Sequence, residues 1–481
     1  MNEPIALQHL IGGRWTGEPT VLRRNPFDDS VVSVVARGGR PTVDDAVSAA
    51  VDAQQGWART PLPARGAILL DAADLLRARH RAVAEDLVRE EGKTLAEAMG
   101  EVRRAIDVLR YFGSAGWHSS GEVLPSSSPS TMVYTRREPL GVVGLITPWN
   151  FPIAIPAWKL APALISGNAV VLKPAELTPR SADQLVRVLV EAGLPAGVLS
   201  VVHGQGSEVG AALCGHPEVA AISFTGSTAV GEQVRRAAAG RQARVQLEMG
   251  GKNALVVLAD ADPEAAAAVA AAGGFGLTGQ ACTATSRVIC TPGSYPEFVT
   301  ALTAAAAALK PGNGLADGVA MGPVVSDAQL KTDLKALDQA RSDGTVGGGE
   351  HTGGRLLSPA VVTGLDEAHP VVTEEIFGPI IAVVHADHLD QAIEVVNRSV
   401  YGLAAGICTR SLAAAQHFAE SVQAGVIKVN RPTTGLDLNA PFGGVKASST
   451  NTFREQGLGA LDFYTWTKSV YLGHDKFDLE E

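Results

Sequence analysis

The sequence predicts an α/β fold organised on a doubly wound parallel sheet, and two observations predict it. Between residues 142 and 247, short β-branched runs alternate with amphipathic runs of helical period. Strands separated by helices imply right-handed crossovers and a parallel sheet. The strand ending at Phe224 then runs through Thr225-Gly226-Ser227-Thr228-Ala229-Val230-Gly231 into a helical run. A glycine-bearing turn there lets a backbone approach a pyrophosphate at a helix N-terminus, beyond the carboxyl ends of the strands.

In chain order, 102–109 has helical period and carries Arg103 and Arg104, whose alternative reading is a solvated face. Pro125-Ser126-Ser127-Ser128-Pro129-Ser130 reads as a turn or linker, and Thr131-Met132-Val133-Tyr134 alternates as a strand. Strands are predicted at 142–146, 169–172, 198–202 and 219–224, with helices at 156–165, 181–192 and 228–239. His203-Gly204-Gln205-Gly206 reads as a plain turn. A further helix begins with Asp262 as N-cap, Pro263 at the first helical position and Glu264 in the first turn. It is expected to run to Ala272 and to break at Gly273-Gly274, leaving Cys282 on a loop. Gly347-Gly348-Gly349 and Gly353-Gly354 mark a surface loop.

The 481 residues exceed one typical core, so two or three domains are expected. A hydrophobic share of 46% against 19% charged residues describes a soluble globular chain. The net charge of −10 argues against a nucleic-acid surface. Four cysteines without paired spacing point to neither a disulfide framework nor a zinc site and favour a reducing compartment, the cytoplasm. The start Met1-Asn2-Glu3-Pro4 shows no signal-peptide pattern, and no apolar stretch is long enough to span a bilayer.

Cys282 and Glu248 are the candidates for covalent chemistry, a thiol and an acid in separate glycine-flanked segments. Cys214, Cys290 and Cys408 follow apolar residues and read as small buried hydrophobes. Lys173 and Glu176, in Leu172-Lys173-Pro174-Ala175-Glu176 at a strand end, suit the hydroxyls of an adenosine ribose, and the acid would repel a 2′-phosphate.

Together with Asn150 in Thr147-Pro148-Trp149-Asn150-Phe151-Pro152, these motifs stand in an order that resembles the NAD(P)-dependent aldehyde dehydrogenase superfamily. The others are Phe224-Thr225-Gly226-Ser227, Leu247-Glu248-Met249-Gly250-Gly251-Lys252, Gly279-Gln280-Ala281-Cys282, Glu374-Glu375-Ile376-Phe377-Gly378-Pro379 and Pro441-Phe442-Gly443-Gly444. The resemblance spans nearly the whole chain. It implies an aldehyde dehydrogenase-like fold in three parts: an NAD-binding domain at 1–120 and 138–248, a catalytic domain at 249–440, and an oligomerisation flap at 121–137 and 460–481. It implies Cys282 as nucleophile, Asn150 and the Cys282 N–H as oxyanion donors, and Glu248 as the base that activates water. Glu455 matches a second, proton-relaying acid of the family, with an ion pair to Arg454 as the alternative. Implied cofactor contacts are Ile146, Thr147, Pro148, Trp149, Lys173, Glu176, Phe224, Gly226, Ser227, Gly231, Glu375 and Phe377, with NAD favoured over NADP. A buried strand-edge aromatic is the other reading of Phe377. A homodimer or homotetramer follows from the flap, since exposed strands invite pairing with another subunit.

Ile153-Ala154-Ile155-Pro156-Ala157-Trp158-Lys159, Asn430-Arg431-Pro432-Thr433-Thr434-Gly435-Leu436-Asp437, Ser448-Ser449 and Arg454-Glu455-Gln456-Gly457 resemble the branch that includes α-ketoglutaric semialdehyde dehydrogenases. On that resemblance Phe151 and Trp158 form an apolar wall, and Arg104 or Arg431 holds a distal anion of the aldehyde, with surface salt bridges as the alternative. Succinate-semialdehyde enzymes carry an arginine where this chain has Trp158, so that anchor is missing here. The competing functions are a neutral aliphatic or aromatic aldehyde dehydrogenase, a CoA-acylating semialdehyde dehydrogenase, and a catalytically silent scaffold.

Overall fold

The computed structural model describes residues 4–118 and 120–473. The start of the chain at 1–3, and residues 474–481 of the expected flap, lie outside the described residues.

Seven strands form the first sheet, in the order Arg244–Glu248, Val219–Thr225, Val142–Ile146, Ala169–Lys173, Leu199–Val201, His9–Ile11 and Arg14–Thr16. The first five are parallel, and the N-terminal hairpin is added antiparallel at the edge. Every residue of Val142–Ile146 and Ala169–Lys173 is buried, as expected where helices cover both faces of a parallel sheet. Successive strands run outward from Val142–Ile146 on one side, and the chain then returns to place Val219–Thr225 on its other side. That reversal opens a crevice at the carboxyl ends of these two strands.

The chain leaves this sheet at Glu248 and enters a second at Asn253. The order there is Thr345–Gly348, Ala360–Thr363, Ile380–His385, Thr285–Cys290, Asn253–Val257, Ala404–Cys408 and Val426–Val429, parallel except for the first strand. A third, antiparallel sheet pairs Thr465–Gly473 with Thr131–Pro139 along nine residues and adds Val123–Leu124. The helix Ala154–Ile165, buried at every position, ties the first sheet to the N-terminal helices. No helix among the described residues is long and apolar enough to cross a membrane.

The α/β class and the strand–helix alternation read from the sequence are those of the structure. Two expectations fail. The helix capped by Asp262, whose side chain accepts from the Ala265 N–H at 2.8 Å, continues through Gly273 and Gly274 to Phe275. A Cβ on Gly273 would meet the Thr285 hydroxyl and one on Gly274 the Thr285 carbonyl, each at 2.5 Å. Those glycines permit close helix–strand packing rather than a break. The glycine-rich stretch near 350 is not one loop: Thr345–Gly348 is an edge strand, and His351–Gly353 pairs with Leu356–Leu357. Gly348, Gly349, Gly353 and Gly354, all at positive φ, make the turns between them.

Candidate active site

Cys282 lies in an irregular segment between the helix Pro263–Phe275 and the strand Thr285–Cys290, where the carboxyl edge of the first sheet faces the amino edge of the second. Its carbonyl accepts from Asn253 Nδ2 at 2.8 Å, which pins the loop to the second sheet. Burial, reinforced by the charges of Glu375, Glu248 and Glu455, pushes the thiol up to about 12. The resting group is therefore a protonated thiol, not the few-per-cent thiolate of an ordinary cysteine near pH 7. Cys214, Cys290 and Cys408 are buried free thiols in the cores.

Glu248, at the end of its strand and 2% exposed, accepts hydrogen bonds from the Ser449 hydroxyl at 3.2 Å and the Gly444 N–H at 3.3 Å. Burial first, then the neighbouring Glu455 charge, raises its carboxyl well above the usual range, against the pull of Lys159. Glu455 is also buried, but its partner is Lys159 and not Arg454. Arg454 instead donates to the Gly444 carbonyl, so the Arg454–Glu455 pair is corrected. Lys159 Nζ also donates to Ser223 Oγ at 2.7 Å. Nothing in the sequence reading gave Lys159 a role, although a lysine in a helix otherwise free of charge was a legible signal: a fully buried cation needs a partner.

Asn150 is 4% exposed, and its Nδ2 donates to the Gln280 carbonyl at 2.8 Å. One amide proton thus fixes the side chain against the cysteine loop, and the other is left for a ligand.

At the crevice of the first sheet, Ile146 and Thr147 are buried at the strand end, with Pro148 and Trp149 following at the rim. Thr147 and Thr225, on the two sides of the crevice, have buried hydroxyls with no partner among the described residues. Ser227 stands exposed as N-cap of the helix Thr228–Ala239 with no side-chain bond to the helix, so the first N–H groups there are open to an anion. Glu176 accepts from the Gly206 N–H at 2.8 Å, and Lys173 Nζ rests on the Pro174 carbonyl at 3.0 Å, its pKa lowered to about 8 by burial. Unpaired hydroxyls, free helix N–H groups, an acid and a lysine suit the ribose and pyrophosphate of a dinucleotide. Phe224 is a buried residue whose ring fills the space beside Gly226, and Met249 fills the space beside Gly231. Glu375 Oε1 accepts from the Gly251 N–H at 3.0 Å, and burial raises its carboxyl. Phe377 is half-buried at φ 66°, its ring edge-on to Trp149 at 5.5 Å, so it belongs to this face and not to a strand edge.

A cavity of about 370 Å³ is lined by Cys282 and Thr283 and walled by Phe151, Trp158, Leu277 and Phe442. Glu97, Glu101 and Arg104 also line it. Glu101 is paired with Lys93, and Glu97 is taken up by the Thr94 and Leu277 N–H groups. Arg104 is bound to the neutral amide oxygen of Gln456 and forms no ion pair among the described residues, although the charges of Asp107 and Asp437 act on it. Arg431 is exposed and does not line the cavity, which corrects its expected role.

The aldehyde dehydrogenase family model matches residues 15–470. The chain belongs to that family. It is 45% identical to an alpha-ketoglutarate semialdehyde dehydrogenase of Haloferax volcanii, covering 96% of this chain and 98% of that protein. It is 40% identical to an alpha-ketoglutaric semialdehyde dehydrogenase of Bacillus subtilis over 96% of this chain and 97% of that one. Among solved structures, the betaine aldehyde dehydrogenase of Staphylococcus aureus in complex with NAD+ superposes with a TM-score of 0.94 at 31% identity, covering 99% of this chain and 97% of that one. The aldehyde dehydrogenase fold therefore carries, on this chain, a thiol, an amide and a buried acid–lysine–acid group gathered from four separate stretches of sequence, around residues 150–159, 248, 282 and 455.

Proposed function

We propose that this aldehyde dehydrogenase oxidises a small aldehyde bearing a distal anion to its carboxylic acid, with NAD as hydride acceptor and α-ketoglutaric semialdehyde (2,5-dioxovalerate) as the substrate. The observation that carries this reading is the cavity at Cys282, which has an aromatic wall and one guanidinium, Arg104, that forms no ion pair among the described residues, while the two acids beside it are held by Lys93 and by backbone N–H groups. An aliphatic chain suits the aromatic wall, and a carboxylate suits Arg104. Relatives of the same name at 40–45% identity support it.

Cys282, once deprotonated, attacks the aldehyde carbon to give a thiohemiacetal. Its oxyanion is held by Asn150 Nδ2 and the Cys282 N–H, a donor of this kind contributing about a hundredfold in rate. Loss of hydride from the thiohemiacetal carbon leaves a thioester on Cys282, and NAD, when bound, would supply the acceptor. Lys173 and Glu176 would hold the adenosine ribose, Ser227 and the helix N–H groups behind it the pyrophosphate, and Glu375 with Phe377 and Trp149 the nicotinamide side. Glu248 then takes a proton from water, the hydroxide adds to the thioester carbonyl, and the C–S bond breaks to release the acid and the Cys282 thiolate. Lys159 and Glu455 set the charge beside Glu248, and the carboxylate of Glu176 disfavours the 2′-phosphate of NADP.

The nucleotide domain would comprise 1–120 and 138–248, the catalytic domain 249–440, and the flap 121–137 with 460–481. Exposed Val123, Met132, Tyr471 and Leu472 on the antiparallel sheet support a homodimer or homotetramer. Four free thiols support a cytoplasmic setting. The test is NADH formation with 2,5-dioxovalerate, succinate semialdehyde, hexanal and benzaldehyde. The reading predicts the highest kcat/KM for 2,5-dioxovalerate, and equal or better values for the neutral pair overturn it.

A further inference from the structure

The helix Leu95–Ser114 touches both halves of the reacting centre through its N-terminal end. Gly92, at φ 104°, ends the preceding helix where Pro26 and Pro323 leave no room for a Cβ, and turns the chain so that Lys93 enters the interior. Lys93 Nζ donates to the Asn150 carbonyl at 2.7 Å and to Glu101 Oε2 at 2.6 Å, and lies 4.8 Å over the Phe151 ring. The other oxygen of Glu101 accepts from the Ile153 and Ala154 N–H groups at 3.0 and 3.1 Å, fixing the start of the helix that carries Trp158 and Lys159. One turn earlier, Glu97 accepts from the Leu277 N–H at 2.7 Å while its second oxygen closes a capping box on Thr94.

Leu277 and Thr278 both take left-handed φ, 55° and 59°, a conformation that L side chains rarely hold and a β-branched residue hardly ever. The Thr278 hydroxyl donates to the Gly322 carbonyl at 3.1 Å, and the Gln280 N–H bonds back to the Leu277 carbonyl at 3.0 Å. Gln280 in turn receives the Asn150 amide. A closed circuit results, running from Glu97 to Leu277, Gln280, Asn150, Lys93 and Glu101. All three side chains that close it stand on one helix face or its cap, and none of them performs a step of the reaction.

We infer that Lys93, Glu97 and Glu101 are positioning residues that set the separation between the Asn150 amide and the Cys282 loop, and so the strength of the oxyanion contact. This rests on the reading of Asn150 as an oxyanion donor.

The test is a double-mutant cycle on the pre-steady-state burst of NADH with a saturating aldehyde. Lys93→Met/Glu101→Gln replaces the Lys93–Glu101 pair by neutral groups of similar shape and removes the bond to the Asn150 carbonyl, while Glu91, 3.8 Å from Lys93 Nζ, keeps its bond from the backbone N–H of residue 93. It is expected to slow the burst ten- to a hundredfold with KM for NAD unchanged. Asn150→Ala alone is expected to slow it about a hundredfold. The triple variant is expected to match Asn150→Ala within about twofold, because the clamp acts only through that amide. A triple variant slowed by the product of the two effects, or a clamp variant with a wild-type burst, overturns the inference. A wild-type burst in Asn150→Ala alone instead overturns the oxyanion reading beneath it. Should the ion-pair variant not fold, Glu97→Ala tests the other arm: a slowed burst with unchanged KM for NAD is expected, and a lowered melting temperature with the burst intact contradicts it.

Discussion

The two sides of Cys282 are built differently. On the acid side, Glu248, Glu455 and Lys159 are 0–2% exposed and bonded to one another or to Ser223, Ser449 and Gly444. On the substrate side, Phe151, Trp158, Leu277 and Phe442 wall an open cavity in which Arg104 forms no ion pair among the described residues. A buried charge network tolerates little change, because removing one member leaves another unpaired in a medium of low dielectric. An apolar wall with a single polar anchor can be redrawn one residue at a time. The difference teaches that the acid side sets whether the reaction runs, and the substrate side sets on what.

The largest effect tests the shared centre. Cys282→Ser is expected to remove NADH production while NAD binding, followed by fluorescence titration, persists, because an alkoxide is not accessible where burial pushes even a thiol up to about 12. More than a few per cent of residual activity would contradict the covalent role.

A pH profile sharpens the acid side. Burial raises the pKa of both Glu248 and Cys282, so each loses its proton at a higher pH than an ordinary carboxyl or thiol does. Turnover should therefore rise with pH, and Glu455→Gln, which removes a charge that raises Glu248, should move the rise to lower pH. A profile that does not shift would detach Glu455 from Glu248.

Arg104→Ala breaks the substrate side alone. It should lower kcat/KM for 2,5-dioxovalerate by about ten- to a hundredfold, the usual loss when a charged hydrogen-bond partner is removed, and leave hexanal unchanged. Equal losses on both would show that Arg104 supports the fold through Gln456 rather than selecting an anion. The smallest effect is Arg431→Ala, expected within about twofold of wild type on every aldehyde, as for an exposed residue away from the cavity.

The strand–helix alternation was legible because parallel strands buried on both faces read as β-branched runs, as in Val142–Ile146. Cys282, Glu248 and Asn150 were legible because each stands in a distinctive run, and the structure gathers them about one cavity and its acid wall. Arg431 shows that a motif places a residue in the chain but not in a site: here it is exposed and is not among the residues that line the cavity. Gly273 and Gly274 misled because glycine has two uses, and only the neighbours, Thr285 and Ile381, decide between a break and close packing. The Lys159–Glu455 pair joins residues 296 positions apart, beyond the reach of any local pattern.

The division between the two sides is tested most directly by Glu248→Gln in rapid mixing with NAD and 2,5-dioxovalerate. If Glu248 serves only to activate the water that cleaves the thioester, the variant will give a burst of about one NADH per active site, followed by turnover about a hundredfold slower than wild type. Loss of the burst together with turnover would place Glu248 before hydride transfer and contradict the account.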